Sequence, residues 1–184
     1  RQVQERIASW MRTAIGIMES SHIRVMRVAD NMRNVAVTEG DKVEAQIKFG
    51  WEVDAYPVNE IAEAVEAVGK ADVDTLVEEY YDKYQILLEG RDEAEFRRHV
   101  AVQAQIEIGF ERFLEEKNYQ AIVTHFGDLG SLKQLPGLAI QRLMQKGYGF
   151  GGEGDWKTAA MVRLMKIMAQ NPPNAKGTSF MEDY

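Results

Sequence analysis

The sequence contains no cysteine. Neither a disulfide framework nor a thiolate metal site can form, which fits the cytoplasm and leaves oxygen and imidazole as metal donors. Any bound metal is therefore expected to be a hard or borderline cation. Positive charge is also short. The 22 Lys and Arg against 29 Asp and Glu leave a net charge of −7, which speaks against nucleic acid or an anionic membrane as the main partner. No apolar run is long enough to span a bilayer, and no stretch reads as a signal peptide. Only three histidines are present. His99 lies beside a helical stripe and reads as a packed or surface residue, His22 carries no signal, and His125 is of interest only because it ends a strand. No internal repeat or low-complexity tract is visible.

What is there is enough for one good core. Of 184 residues, 45% are apolar, an ordinary share for a globular domain. Val3, Ile7, Trp10, Met11, Ala14, Ile15 and Met18 recur at helical spacing, so residues 2–20 are expected to form an amphipathic helix. Short β-branched or alternating runs at 23–28, 51–56 and 119–126 read as strands. Helices are expected over 41–49, from Pro57 to Gly69, from an Asp72 cap to Tyr84, over 92–116, over 138–146 and over 156–169. Gln103 interrupts the apolar stripe of the longest helix, and Met161, Met165 and Met168 read as core. Strands alternating with helices predict an α/β fold with a parallel sheet. The sequence starts at Arg1 inside a helical pattern and stops at Tyr184 inside an extended stretch, so a piece of a longer protein is expected.

The most unusual stretch is Gly147-Tyr-Gly-Phe-Gly-Gly-Glu-Gly-Asp-Trp-Lys157, with five glycines in eight residues. It reads as a loop that sets Glu153 between two glycines, with Asp155 as the cap of the following helix. Gly147, Gly149 and Gly152 also match the G-x-G-x-x-G dinucleotide fingerprint. That match fails on context: the stretch before it reads as helix, Glu153 and Asp155 would repel a phosphate, and no acid stands about 20 residues on to hold a ribose. Carboxylates in a glycine-rich loop suit a cation or a neutral polyol better. Ser179-Phe-Met-Glu-Asp-Tyr184 forms a second acidic stretch. The strand-end rule adds two candidate rims: Asp30-Asn31-Met32 after the first strand, and His125, Phe126 and Asp128 after the third. As residue types alone, Asp30 and Asn31 are equally turn formers, and Phe126 is core by default.

The run from Leu132 to Ala160, followed by Gly177-Thr-Ser-Phe-Met-Glu-Asp-Tyr184, resembles L-arabinose isomerase. Asp30-Asn-Met-Arg33, Gly40-Asp-Lys-Val43 and Gln46-Ile-Lys-Phe-Gly50 agree with that family too. The resemblance covers essentially the whole chain and is least diagnostic around residues 70–105. It implies a Rossmann-like α/β sandwich, the central domain of the fucose isomerase-like fold, over residues 1–170. Residues 171–184 would be the linker and first strand of a C-terminal domain. It implies an aldose–ketose isomerase that turns L-arabinose into L-ribulose, and D-galactose into D-tagatose, in a cytoplasmic homo-oligomer, a trimer or hexamer. The family's metal glutamates match Glu153 and Glu182, which would hold Mn²⁺ or another divalent cation and carry the catalytic proton. Its metal histidines would lie beyond Tyr184. Its sugar pocket includes residues that match Met32 and Phe126. Two other functions stand beside it: a nucleotide-binding α/β domain and a non-catalytic oligomerisation module.

Overall fold

A computed structural model gives the fold of residues 1–170. Glu182, the extended stretch 178–184 and the expected boundary at 171 lie outside the described residues. Within them, four short strands form one parallel sheet: β1 (Arg24–Val28), β2 (Glu52–Tyr56), β3 (Ala121–Val123) and β4 (Gly149–Gly151), in the order β2-β1-β3-β4. Val25 stands opposite both Val53 and Ala121, and Ala121 opposite Gly149. The helices are α1 (Gln2–Ser20), α2 (Lys42–Phe49), α3 (Val58–Glu66), α4 (Lys70–Lys83), α5 (Glu93–Lys117), α6 (Gly137–Gln145) and α7 (Trp156–Met168).

Side chains alternate across a strand, so each strand feeds two cores. Met26, Val28, Ile122 and Phe150 pack with Ile61 and Val65 of α3, Ile106 and Phe110 of α5, and Ile140 and Leu143 of α6. Val25, Ala121 and Val123 pack on the other side with Ala45 of α2 and with Trp156, Ala159 and Ala160 of α7. Helix α4 joins the first layer through Val77 and Tyr80, which meet Val100 and Ala104 of α5. The result is a three-layer, Rossmann-like sandwich; the strand–helix pattern predicted its parallel sheet, and the family resemblance implied the sandwich. No helix among the described residues is long and apolar enough to cross a membrane.

Helix ends follow their capping residues. The Asp41 carboxylate accepts from the Glu44 N–H, and Gly50 closes α2 at φ 76°. Asp92 accepts from Glu95, and Asp155 from both Lys157 and Thr158. Asp72 is not a cap as expected: Gly69 holds that position, and Asp72 instead pairs with Arg112 at 2.7 Å. Gln103, which breaks the apolar stripe of α5, accepts from the Leu138 and Ala139 N–H groups. It thereby satisfies two otherwise unpaired donors at the start of α6.

Three further expectations are corrected. The apolar stripe of α1 faces solvent, with Val3, Trp10 and Met18 each about 70% exposed (69%, 72% and 67%). The helix packs by its small-residue side, where Gly16 lies against Met168 and Leu164 of α7. Met161 and Met165 are likewise exposed rather than core, because α7 buries Ala159, Ala160 and Val162 instead. Third, the glycine stretch is not all loop. Gly149–Gly151 is a buried strand at the end of the sheet order. A Cβ on Gly149 would stand 2.1 Å from the Ala159 carbonyl oxygen, and one on Gly151 would stand 2.2 Å from that of Asp155. These glycines are there because α7 lies directly on the strand.

Candidate functional site

In a parallel sheet every strand delivers its carboxyl end to the same edge. β1 runs out into Ala29-Asp30-Asn31-Met32, β3 into Thr124-His125-Phe126, and β4 into Gly152-Glu153-Gly154. Backbone hydrogen bonds tie the three exits together. The Met32 N–H donates to the Glu153 carbonyl at 3.0 Å, and the Gly154 N–H donates to the Thr124 carbonyl at 3.2 Å. Of the four residues singled out from the sequence, Met32, Phe126 and Glu153 therefore lie on loops of one rim. Glu182 is outside the described residues. Met32 and Phe126 are both half-buried, so Phe126 is not the fully packed core aromatic that its residue type suggested.

The rim is conformationally unusual. Glu153 has φ 55° and Ala29 has φ 63°, both in the left-handed region. An ordinary L-residue held there costs about 1–2 kcal/mol, and such strain persists only where neighbours determine it. Gly154, at φ 85°, leaves no space for a side chain: a Cβ would fall 2.5 Å from the Asn31 Cα.

The rim's acids are used differently. Asp30 accepts from the Asn31 N–H at 2.8 Å and pairs with Arg27 at 3.1 Å. Asp155 caps α7 and accepts from the Thr158 hydroxyl. Glu39 is held below the usual carboxylate range, first by the Gly40 N–H it accepts, with Arg27 and Lys42 adding to the effect. The Glu153 carboxylate is half-buried and makes no hydrogen bond or ion pair with any described residue. It is an acceptor-only group with its capacity unused. His125 is a turn former: its Nδ1 accepts from the N–H groups of Gly127 and Asp128, at 2.9 and 2.8 Å. Among the described residues, no three His, Cys, Asp or Glu side chains gather where an ion could be held. Glu153 offers one donor group toward a cation, and the described residues alone do not complete a metal site.

Sequence reasoning overlooked the support beneath the rim. Arg27 is buried on β1, and its Nη1 donates to the Asn31 side-chain oxygen. The Asn31 amide nitrogen donates to Thr38 Oγ1 at 2.9 Å and to the Gly154 carbonyl at 3.2 Å. The only signal was a pair of arginines, Arg24 and Arg27, inside the otherwise apolar run 23–28. Also unforeseen was Glu107, wholly buried on α5 on the far side of the sheet. It accepts from Arg142 Nε at 2.8 and 3.0 Å and from Lys146 at 3.0 Å.

Fold and rim together define a class: a parallel α/β domain whose strand ends gather on one rim, where the Glu153 carboxylate pairs with no described residue. The chain belongs to the L-arabinose isomerase central domain family, which matches residues 24–171. It is 54% identical over 183 residues to an L-arabinose isomerase of Geobacillus thermodenitrificans, covering 100% of this chain and 36% of that protein. An L-arabinose isomerase of Pectobacterium atrosepticum is 55% identical over 179 residues, covering 97% of this chain and 35% of the relative. One of Yersinia pseudotuberculosis is 52% identical over 184 residues, covering 100% and 36%. The chain thus spans about a third of the length of these relatives.

Proposed function

We propose that this chain is the central part of an aldose–ketose isomerase that converts L-arabinose to L-ribulose and, as a side activity, D-galactose to D-tagatose. Residues 1–170 are the central domain, and residues 171–184 lead into a further domain of a cytoplasmic homo-oligomer, a trimer or hexamer. The observation that carries the proposal is the strained Glu153, paired with no described residue, at a rim shared with Met32 and Phe126, in a chain more than half identical to proteins named for that reaction.

Aldose-to-ketose isomerisation moves one hydrogen from C2 to C1 and one proton from the C2 hydroxyl to O1. A carboxylate within reach of both oxygens can take the hydroxyl proton and return it to O1. Glu153 and Glu182 are assigned that role. They are also assigned as two ligands of a divalent cation, Mn²⁺ or a similar ion, with the remaining donors supplied from outside this chain. Such an ion, when bound, supplies Lewis acidity toward the sugar carbonyl. The Met32 thioether and the Phe126 ring offer apolar surface to the carbon face of the sugar and exclude water from it. The glycine fingerprint favours no nucleotide, since packing under α7 accounts for Gly149 and Gly151.

A hybrid tests the proposal. This chain replaces the matching segment of the Geobacillus thermodenitrificans relative, and L-ribulose formation is followed. Turnover is expected from the hybrid, with Glu153→Gln lowering kcat by about 10²- to 10⁴-fold, the span of a lost acid–base group. A Glu153→Gln hybrid as fast as its parent, or an assembled hybrid that never isomerises, overturns it. The 184-residue chain alone is expected to show no turnover and no submicromolar Mn²⁺ site in a calorimetric titration.

A further inference from the structure

We propose that Arg27 and Asn31 are positioning residues, a buried pair that sets the Glu153 turn. The proposal rests on the reading of Glu153 given above and adds what aims that carboxylate. Asn31 uses both ends of its amide. Its oxygen accepts from Arg27 Nη1, and its nitrogen donates to Thr38 Oγ1 and to the carbonyl of Gly154, the residue after Glu153. The amide has one possible orientation. Flipped, its NH₂ would face a guanidinium that only donates, and its oxygen would face a carbonyl that only accepts. Arg27 therefore dictates which way Asn31 points, and Asn31 fixes the carbonyl that leaves the turn.

The rest of the turn is held as tightly. The Glu153 carbonyl accepts from the Met32 N–H, and the Gly154 N–H donates to Thr124. Asn31 is thus bonded to the turn and also adjoins Met32, on the loop assigned to the sugar. The positive φ of Glu153 persists because these bonds over-determine it. Burying a guanidinium is costly, and an apolar residue at position 27 would pack at least as well. What Arg27 provides is specificity: a cation that faces Asp30, at 3.1 Å, and Glu39, at 3.8 Å, as well as the Asn31 oxygen.

Asn31→Asp is the test, because it keeps the shape and the acceptor toward Arg27 and replaces the two donated bonds with an oxygen. In the 184-residue chain, amide hydrogen exchange at Met32 and Gly154 is expected to quicken about three- to tenfold, as the loss of one hydrogen bond permits. The Gly149 N–H, bonded to Gln120 across the sheet, is expected to stay unchanged. In the hybrid, kcat is expected to fall about 10- to 100-fold, the usual cost of losing a group that orients a functional one. KM for L-arabinose is expected to hold while kcat falls; a merely structural role would lower the thermal midpoint by a few degrees per ~1 kcal/mol and leave kcat unchanged. Thr38→Val, which removes the acceptor of one Asn31 bond together with the hydroxyl's own bond to the Val35 carbonyl at 2.8 Å, gives a smaller change at the same amides and keeps the test open if Asn31→Asp does not fold. Unchanged exchange at Met32 and Gly154 while Glu153→Gln is inactive overturns the positioning role alone. A Glu153→Gln hybrid that keeps full turnover overturns the reading of Glu153 beneath it.

Discussion

Two glutamates, one buried under the helices on one face of the sheet and one at the edge where the strands end, show how one residue type serves two ends. Glu107 is fully buried, and its two oxygens accept from Arg142, Lys146 and the Tyr80 hydroxyl. Arg142 is held in turn by Glu79 at 2.7 Å and the Tyr84 hydroxyl at 3.0 Å. Burial alone would lower the Arg142 pKa, but these hydrogen bonds more than offset it and raise it. Glu153 sits half-exposed on strained backbone and pairs with no described residue. A saturated carboxylate has nothing left to offer a ligand and holds α4, α5 and α6 together. One that no described residue engages contributes little to the fold.

The sharpest way to break that contrast is to remove the buried charge. Glu107→Gln is expected to cost about 3–5 kcal/mol, because Arg142 and Lys146 are then left without their shared anion. Urea unfolding reads the loss, and a variant within 1 kcal/mol of the parent (by ~ the scatter of surface substitutions) would remove the distinction. Next in size is Gly154→Ala, which forces a Cβ to within 2.5 Å of Asn31 Cα at φ 85°. It is expected to destabilise by about 1–3 kcal/mol.

The Tyr80 hydroxyl sharpens the comparison through pH. Burial first, and then its bond to Glu107, raise its pKa well above the ordinary 10.0. The folded chain keeps a proton that the unfolded chain releases, so this stability is complete below pH 10 and declines as pH rises further. Denaturant midpoints measured from pH 8 to 11 are expected to stay level and then fall. Tyr80→Phe is expected to lower the plateau by about 1 kcal/mol and to reduce the fall. Some decline remains, because burial and the Asp54 bond raise the Tyr119 hydroxyl in the same way. Smallest of all is the rim: Glu153→Gln is expected to shift stability by no more than about 0.5 kcal/mol. Glu153→Gly is expected to gain up to about 1 kcal/mol by relieving the positive φ. A large loss at either would mean that Glu153 is structural after all.

Legibility varied with the range of the cause. Asp155 announced the start of α7 because a cap acts within three or four residues. The run 23–28 announced β1 because β-branched residues suit a buried strand. Glu153 stood out because it is flanked by glycines. The strand Gly149–Gly151 was hidden, since its glycines answer to the backbone of α7 and not to any local preference. The exposed stripe of α1 was misjudged for the opposite reason: periodicity shows that a face is apolar, not what lies against it. Glu107 and Arg142 are 35 positions apart, and each alone reads as an ordinary solvated charge.

By itself, then, the sequence determined what is decided locally: the alternation of strand and helix, the caps that bound them, and a carboxylate set among glycines, together with a likeness to one family of sugar isomerases. Only the tertiary structure decided which groups meet. Parallel pairing carried the ends of β1, β3 and β4 to one edge, bonded Glu153 to Met32, and put Arg27 beneath Asn31. Local preferences act over a few residues, whereas partners far apart in the chain are chosen by packing, and packing alone settles whether a charge is spent or left free.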